Sequence, residues 1–253
     1  MDAPTAIDPS APRPAPADDE VEVWWADIDL LPETLDALRA DLDVATTDLL
    51  ELLVRPDDRR RGTVAHALLR RRCARLLGVA PRDVRITRRC AVCGATDHGK
   101  PAVDAPGGLE PPQVNLAHSG SLVVVGLTSR TPIGVDVEVV RPGMNWERPR
   151  RLVFAEDEWD TTALDPDPDR ERLAMWTRKE AAAKVTGLGI AVGLERVAVG
   201  PSPPEDEWRP VVLPDELAPL LVTDLDLDAG HAAAVSVDAS LRSPRLTVHR
   251  AAF

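Results

Sequence analysis

Apolar positions along the chain recur at two periods, and the order in which the periods alternate predicts an α+β protein. Val21, Val23 and Trp25 alternate with polar neighbours, which predicts a strand over 21–30. Pro32 and Glu33 then open a short helix to about residue 42, with proline in the first turn. A second helical stretch covers roughly 48–54. Val64, Leu68, Leu69, Cys73, Leu76 and Leu77 follow the helical period; Asp57 or Asp58 can cap that helix and Gly78 ends it. A short strand is expected over 84–86 and a Pro/Gly-rich loop over 102–112. Residues 113–120 read as a strand, 122–128 as a buried strand and 133–139 as a half-buried one. The short connection at Thr131-Pro132 predicts an antiparallel pairing of the last two. After a Pro142-Gly143 loop come a helical segment near 156–164, a Pro-Asp linker over 165–169, and the longest helix, 170–185, closed by Thr186-Gly187. Short strands are expected at 197–199, 208–213, 220–227, 232–237 and 246–249. The order is not a repeating βα one, and the chain carries no Gly-rich nucleotide fingerprint.

The stretch 133–139 (Ile-Gly-Val-Asp-Val-Glu-Val) organises the rest. Side chains two apart on a strand share a face, so Asp136 and Glu138 project together. Adjacent carboxylates repel and raise the pKa of one or both, and a divalent cation relieves the repulsion. The plainer reading is the solvated face of an amphipathic strand, and the pattern alone leaves both open.

Composition narrows the choice. A chain of 253 residues with 44% hydrophobic and 28% charged residues can build one large domain or two small ones. No apolar run reaches the length of a membrane span, and no apolar stretch follows a basic start as in a signal peptide. Three cysteines, an odd number, argue against a disulfide scaffold and for a cytoplasmic setting. Residues 1–20 hold five Pro and five acidic residues among small ones, and read as a disordered tail. Net charge is −12, which counts against general nucleic-acid binding. Within residues 55–90, however, twelve Arg meet three Asp, a local +9 that leaves −21 on the remainder. That block suits a local anionic ligand, or else an Arg-rich solvated helix face. Arg59, Arg60 and Arg61 fall in a helix first turn, where cations oppose the dipole and a bound anion would favour them.

Only three of the 30 basic residues are lysines: Lys100, Lys179 and Lys184. In a chain that otherwise uses arginine, these mark places where a compact ammonium is needed. On the longest helix, Trp176, Glu180 and Lys184 are spaced to lie on one side. An ordinary Glu–Lys surface pair would show the same spacing. Cys90-x-x-Cys93 with His98 permits a zinc site, with Cys73 elsewhere; one such pair is a weak signal beside a plain tight turn with free thiols. An Asp-x-Glu strand, a third carboxylate on a helix and nearby ammoniums together suit a Mg²⁺–pyrophosphate site.

Taken together, these stretches resemble the Sfp-type 4′-phosphopantetheinyl transferases. The match runs from the Arg-rich helix through Gly99-Lys100-Pro101, Asn115-Leu-Ala-His118-Ser119-Gly120 and Gly134-Val-Asp136-Val-Glu138 to Trp176-Thr-Arg-Lys179-Glu180-Ala-Ala-Ala-Lys184, about residues 55–190. The resemblance implies an α+β fold of two similar halves in one chain, related by a pseudo-two-fold, with coenzyme A in the cleft between them. The halves would be 21–130, with the Arg-rich helix and coenzyme A groups, and 131–253, with the metal site and catalytic helix. It further implies Mg²⁺ (or Mn²⁺) on Asp136, Glu138 and Glu180, with Glu180 or a water it holds as base. Lys184 and His118 would meet the pyrophosphate or the 3′-phosphate, and Lys100, Pro101 and Ser119 would border the adenine. Lys179 would lie at the active-site edge, and Arg61 would take the 3′-phosphate. The implied protein is a cytoplasmic monomer, bound to neither membrane nor nucleic acid. It would modify apo carrier proteins or carrier domains of peptide or polyketide synthases in secondary metabolism. Docking of an acidic carrier on an acidic chain would rely on apolar contacts and a local basic rim. Two rivals remain: another Mg-dependent phosphoryl-transfer enzyme, and a zinc-stabilised binding module.

Overall fold

The computed structural model describes residues 6–11, 15–141, 143–201, 207–215 and 217–253. In chain order its elements are β1 (Glu20–Asp27), α1 (Pro32–Arg39), α2 (Val44–Glu51), α3 (Pro56–Leu77), β2 (Arg85–Arg89), β3 (Lys100–Asp104), β4 (Gln113–Ser119), β5 (Leu122–Thr128), β6 (Ile133–Val139), α4 (Glu147–Val153), α5 (Glu156–Thr162), α6 (Pro168–Thr186), β7 (Arg209–Val211), β8 (Leu220–Asp224), β9 (His231–Asp238) and β10 (Arg245–Arg250). The class is α+β, as the periodicities predict. Among the described residues no helix is long and apolar enough to cross a membrane.

The chain forms two compact units, Met1–Thr87 with Pro101–Arg130 and Arg245–Phe253, and Arg88–Lys100 with Thr131–Pro244. Segments 88–100 and 245–253 therefore fall on the other side of the division from a simple break after residue 130. The first unit is built on a four-stranded sheet in the order β10-β1-β5-β4. β1 runs antiparallel to β5 and parallel to β10. Trp24, Ala26, Val123, Val125 and Leu127 of that sheet pack against Val64, Leu68 and Leu69 of α3. Pro56 sets the start of α3, so Arg55 is its N-cap and Asp57 and Asp58 lie inside the first turn rather than capping it. Gly78 closes α3 in the left-handed conformation (φ 68°), as expected.

The second unit has an all-antiparallel sheet, β6-β9-β8-β7, with α6 lying on it. Ala181, Ala182, Ala183 and Val185 of α6 join Val222, Ala232 and Ala234 of the sheet in one apolar core. β2 and β3 pair as a separate two-stranded ribbon, and β3, which starts at Lys100, runs on to Asp104 inside the region expected to be a loop.

Three further expectations change. β5 and β6 do not pair; β5 lies between β1 and β4, and β6 takes β9. Both strands are buried along most of their length, so each needs long-range partners that a hairpin would not supply. No apolar periodicity announces α4, whose sequence Glu-Arg-Pro-Arg-Arg-Leu-Val has only two apolar aliphatic residues at its end. Of the stretch read as a disordered tail, 1–5 and 12–14 lie outside the described residues, as does Pro142 of the Pro-Gly loop. Ile7, however, is bridged to Ala251: its N–H donates to Arg250 O at 2.7 Å, and Ala252 N–H donates to Ile7 O at 2.7 Å. An isolated apolar residue in a polar tail has found an unpaired strand end to bind.

Candidate active site

Gly134, Asp136 and Glu138 share one face of β6, and across the ladder they meet Ser236, Ala234 and Ala232 of β9. These small partners leave that face open to α6. The approach is close enough that a Cβ on Gly134 would fall 2.1 Å from Ala181 O and 2.9 Å from Val185 N. Glycine is thus required for helix and strand to touch backbone to backbone. The contact brings Lys184 over the strand. Its Nζ donates to Asp136 Oδ1 at 2.7 Å and to Val135 O at 2.9 Å.

Asp136 is 6% exposed. Its Oδ1 is held by Lys184, while its Oδ2 is buried with no hydrogen-bond partner among the described residues. Burial pushes the Asp136 pKa up to about 7; the Lys184 ammonium opposes that rise, and the charges of Glu138 and Glu180 add to it. Glu138 and Glu180 are half-buried. The four groups thus form one electrostatic cluster with three carboxylates against a single ammonium. A buried carboxylate oxygen without a donor, facing excess negative charge, is an environment that a hard divalent cation satisfies. The residues therefore fit Mg²⁺ in chemistry. The three carboxylates are not, however, drawn to the tight spacing of a closed site. Among the described residues only Cys90, Cys93 and His98 place three such ligand atoms within 4.8 Å of one another.

The structure sorts the three lysines. Lys100 Nζ donates to Val185 O at 3.1 Å, satisfying a carbonyl in the last turn of α6, and burial pulls its pKa down to about 8. Lys179 corrects the expectation of an active-site edge residue. It is fully buried, and its ammonium donates to Val153 O at the end of α4 (2.8 Å), to Leu194 O (3.0 Å) and to Glu158 (2.5 Å). With all three protons taken inside the core, it has none for a ligand. Its neighbour Arg178 is also fully buried, held by Asp224 and Glu171. At about 100° per residue Lys179 lies about 60° from Trp176 and about 100° from Glu180, off the Trp176–Glu180–Lys184 stripe, but spacing alone does not say which face is buried.

The Arg-rich block also divides. Arg70 and Arg72 are buried and structural: Arg70 pairs with Asp43 (2.6 Å) and donates to Val84 O (2.7 Å), and Arg72 pairs with Glu22 (2.9 Å). Arg61 instead reaches the β4–β5 turn, donating to Gly120 O at 2.6 Å and pairing with Asp58. Gly120 makes that turn in the left-handed region, φ 54°. Arg61 is thereby brought to the His118–Ser119 end of β4, in the first unit. The His118 and Arg61 charges both help hold Asp58 below the usual carboxylate range, Arg61 chiefly by its hydrogen bond. Pro101, half-buried on β3, is the residue after Lys100.

The cysteines separate as well. Cys73 is buried in the α3 core, with its thiol pushed up to about 12 by burial, and stands apart from the other two. Cys90, Cys93 and His98 gather in the turn between β2 and β3.

Comparison with known proteins agrees with this arrangement. A model of the 4′-phosphopantetheinyl transferase superfamily matches residues 132–225, which include β6 and α6. The chain is 27% identical over 180 residues to a 4′-phosphopantetheinyl transferase of Bacillus subtilis, covering 71% of this chain and 74% of that one. It is 35% identical over 123 residues to the 4′-phosphopantetheinyl transferase psf-1 of Bacillus pumilus, 48% of this chain and 51% of the relative. To the 4′-phosphopantetheinyl transferase HetI of Nostoc sp. it is 30% identical over 202 residues, 78% of this chain and 81% of the relative. A likeness that spans most of both chains and centres on the strand and helix of the carboxylate cluster establishes that this protein belongs to the 4′-phosphopantetheinyl transferase superfamily.

Proposed function

We propose that Asp136, with Glu138 and Glu180, is the Mg²⁺-binding set of this transferase, and that Lys184 and Arg61 are its main phosphate-facing cations. The enzyme moves the 4′-phosphopantetheine arm of coenzyme A to a carrier protein. The observation that carries the metal assignment is the buried, unpartnered Oδ2 of Asp136 beside two further carboxylates. When bound, Mg²⁺ would neutralise charge on the pyrophosphate oxygens.

The chain's own residues then have distinct tasks. Lys184 holds Asp136 by its Oδ1 and supplies positive charge to the phosphate next to it. Glu180, half-buried and without a hydrogen bond or ion pair among the described residues, is the candidate base. It would take the proton of the carrier serine as that hydroxyl attacks the β-phosphorus, directly or through a water. Adenosine 3′,5′-bisphosphate leaves. In the first unit Arg61, His118 and Ser119 gather at one sheet end, a suitable set for the 3′-phosphate and adenine, with Pro101 as a further adenine contact; Lys100, in the second unit, keeps its own proposed adenine role. Lys179 has no part in this reading. Each unit carries a four-stranded sheet under one long helix, which supports two similar halves. Three free thiols suit a reducing cytoplasm, and a peptide or polyketide carrier domain is the partner class we favour.

The test is incubation of the protein with coenzyme A, Mg²⁺ and a panel of apo carrier proteins, read by intact mass. The expected result is one phosphopantetheinyl group on at least one carrier, abolished by Asp136→Ala with the circular dichroism spectrum unchanged. Full transfer by Asp136→Ala would remove the metal assignment.

A further inference from the structure

Residues 90–99, between β2 and β3, are exposed or half-buried throughout, so apolar packing does not fix their conformation. The turn is nevertheless closed. Gly94 N–H donates to Cys90 O at 2.9 Å, Cys90 N–H donates to Ala95 O at 2.8 Å, and Gly94 adopts φ 75°. At its far end Gly99, φ 108°, packs so tightly that a Cβ would lie 2.4 Å from Arg89 O.

We propose that Cys90, Cys93 and His98 form a zinc site, separate from the Asp136 cluster. Their ligand atoms lie within 4.8 Å of one another. Cys93 Sγ is 3.4 Å from His98 Nε2. A tetrahedral zinc with ordinary Zn–S and Zn–N bonds separates sulfur and nitrogen by about 3.6 Å, so this pair already stands at ligand spacing. The second observation is independent of the cysteines. His98 Nδ1 lies 2.8 Å from Asp97 Oδ1. That carboxylate fixes the tautomer with the proton on Nδ1 and leaves the Nε2 lone pair for a metal, the arrangement that accompanies metal-bound histidine. Two thiolates and an imidazole favour zinc over the Mg²⁺ suited to the carboxylates. Exposure of Cys93 and His98 leaves the fourth position to water. Binding would release the thiol protons to solvent and form two Zn–S bonds and one Zn–N bond, with no change of oxidation state. The metal would fix the turn that leads into Lys100 and β3.

The test uses the full chain without an affinity tag, reduced, loaded with zinc and desalted. Elemental analysis should find about one zinc per chain, released by chelator and not displaced by excess Mg²⁺. Cobalt in its place should give thiolate-to-metal charge-transfer bands and tetrahedral ligand-field bands. Hydrogen exchange across 90–99 should slow when zinc binds. Cys93→Ser and His98→Ala should each weaken retention at least about tenfold. Folded, fully reduced protein that retains no zinc would overturn the proposal, as would a stoichiometric zinc that survives Cys90→Ser with Cys93→Ser. A Cys90–Cys93 disulfide that persists in the zinc-treated protein, seen as a 2 Da mass deficit (two hydrogens lost), would overturn it too. Transfer to carriers in Mg²⁺ is assayed separately, so either reading can fail without the other.

Discussion

Asp136 is the residue at which stability and the proposed metal-binding role pull in opposite directions. Buried among apolar and small side chains, its carboxyl keeps a proton to about pH 7, whereas in the unfolded chain it ionises near 4. Between those values the native state holds more protons than the unfolded state, so stability falls as pH rises through this window. Below pH 4 both states are protonated, and the group makes no difference. Above pH 7 both are ionised, and the destabilisation is complete. The difference between about 4 and about 7 corresponds to at most about 4 kcal/mol. Asp136→Asn keeps the shape and the acceptor for Lys184 while removing this titration. In metal-free buffer the variant should match the native protein below pH 4, gain on it steadily from pH 4 to 7, and hold a constant advantage above. Urea unfolding across pH checks this, because other titrating groups cancel in the difference. Parallel curves for the two proteins would show that the raised pKa is wrong. On the proposed metal assignment the same burial that makes the carboxylate costly also leaves Oδ2 available to a cation.

At the scale of elements, the pairing of β6 with α6 carries the site, and Gly134 sets its distance. A methyl group there meets the backbone of α6, which cannot rotate aside. Gly62 offers the control: its Cβ would meet Leu50 Cδ2 at 2.2 Å, the end of a side chain that can change rotamer. Gly134→Ala should cost about 3 kcal/mol or more and shift Lys184 off Asp136. Transfer should fall by about 100-fold, as expected for a misplacement near 1 Å. Gly62→Ala should lose little of either, since alanine favours the helix by about 1 kcal/mol. Equal losses in the two variants, measured by unfolding and by carrier mass, would contradict the backbone-contact account. The same elements show what the sequence could convey. The period of two across 133–139 put Asp136 and Glu138 on one face, and the helical spacing put Glu180 and Lys184 on one stripe. Both are local geometry and both hold. The scarcity of lysine was a true signal with a mixed meaning: each ammonium binds backbone carbonyls, two of them in the last turns of α4 and α6, and only Lys184 also holds a site carboxylate. Sequence could not separate these cases, because the carbonyl acceptors lie 15 to 85 residues away. The Arg block is mixed for the same reason: Arg70 and Arg72 find partners far along the chain, in Asp43 at the N-cap of α2 and Glu22 of β1.

At the scale of the molecule, the first unit is assembled from both ends of the chain, which no local pattern announces. β10 lies parallel to β1 over six residue pairs, from Glu20 with Arg245 to Trp25 with Arg250. A parallel pair needs a long connection, and here it runs over residues 28–244, through the rest of the first unit and the whole of the second. The strand brings more than a ladder. His249 packs on Trp24 at 4.7 Å between ring centroids, the Arg250 guanidinium lies 5.2 Å from the Trp25 ring, and Ala251 N–H donates to Trp25 O at 2.8 Å. Trp24 in turn donates to buried Glu22, the partner of Arg72 on α3. The strand thus covers the edge of β1 on which the helix-to-sheet ion pair is mounted. A chain ending at Pro244 would leave that edge unpaired beside two tryptophans. The loss should be about 3–5 kcal/mol from hydrogen bonds alone, a large part of a domain's stability. Hydrogen exchange read by mass is the suitable measurement. Amides of 20–27 should lose protection first and most, while those of 231–238, whose ladder partners are β6 and β8, serve as the reference. Undiminished protection of 20–27 in the shortened chain would mean that β10 is an ornament on a sheet already stable as three strands. With its present contacts, the strand is instead the closing piece of the unit that carries Arg61, His118 and Ser119.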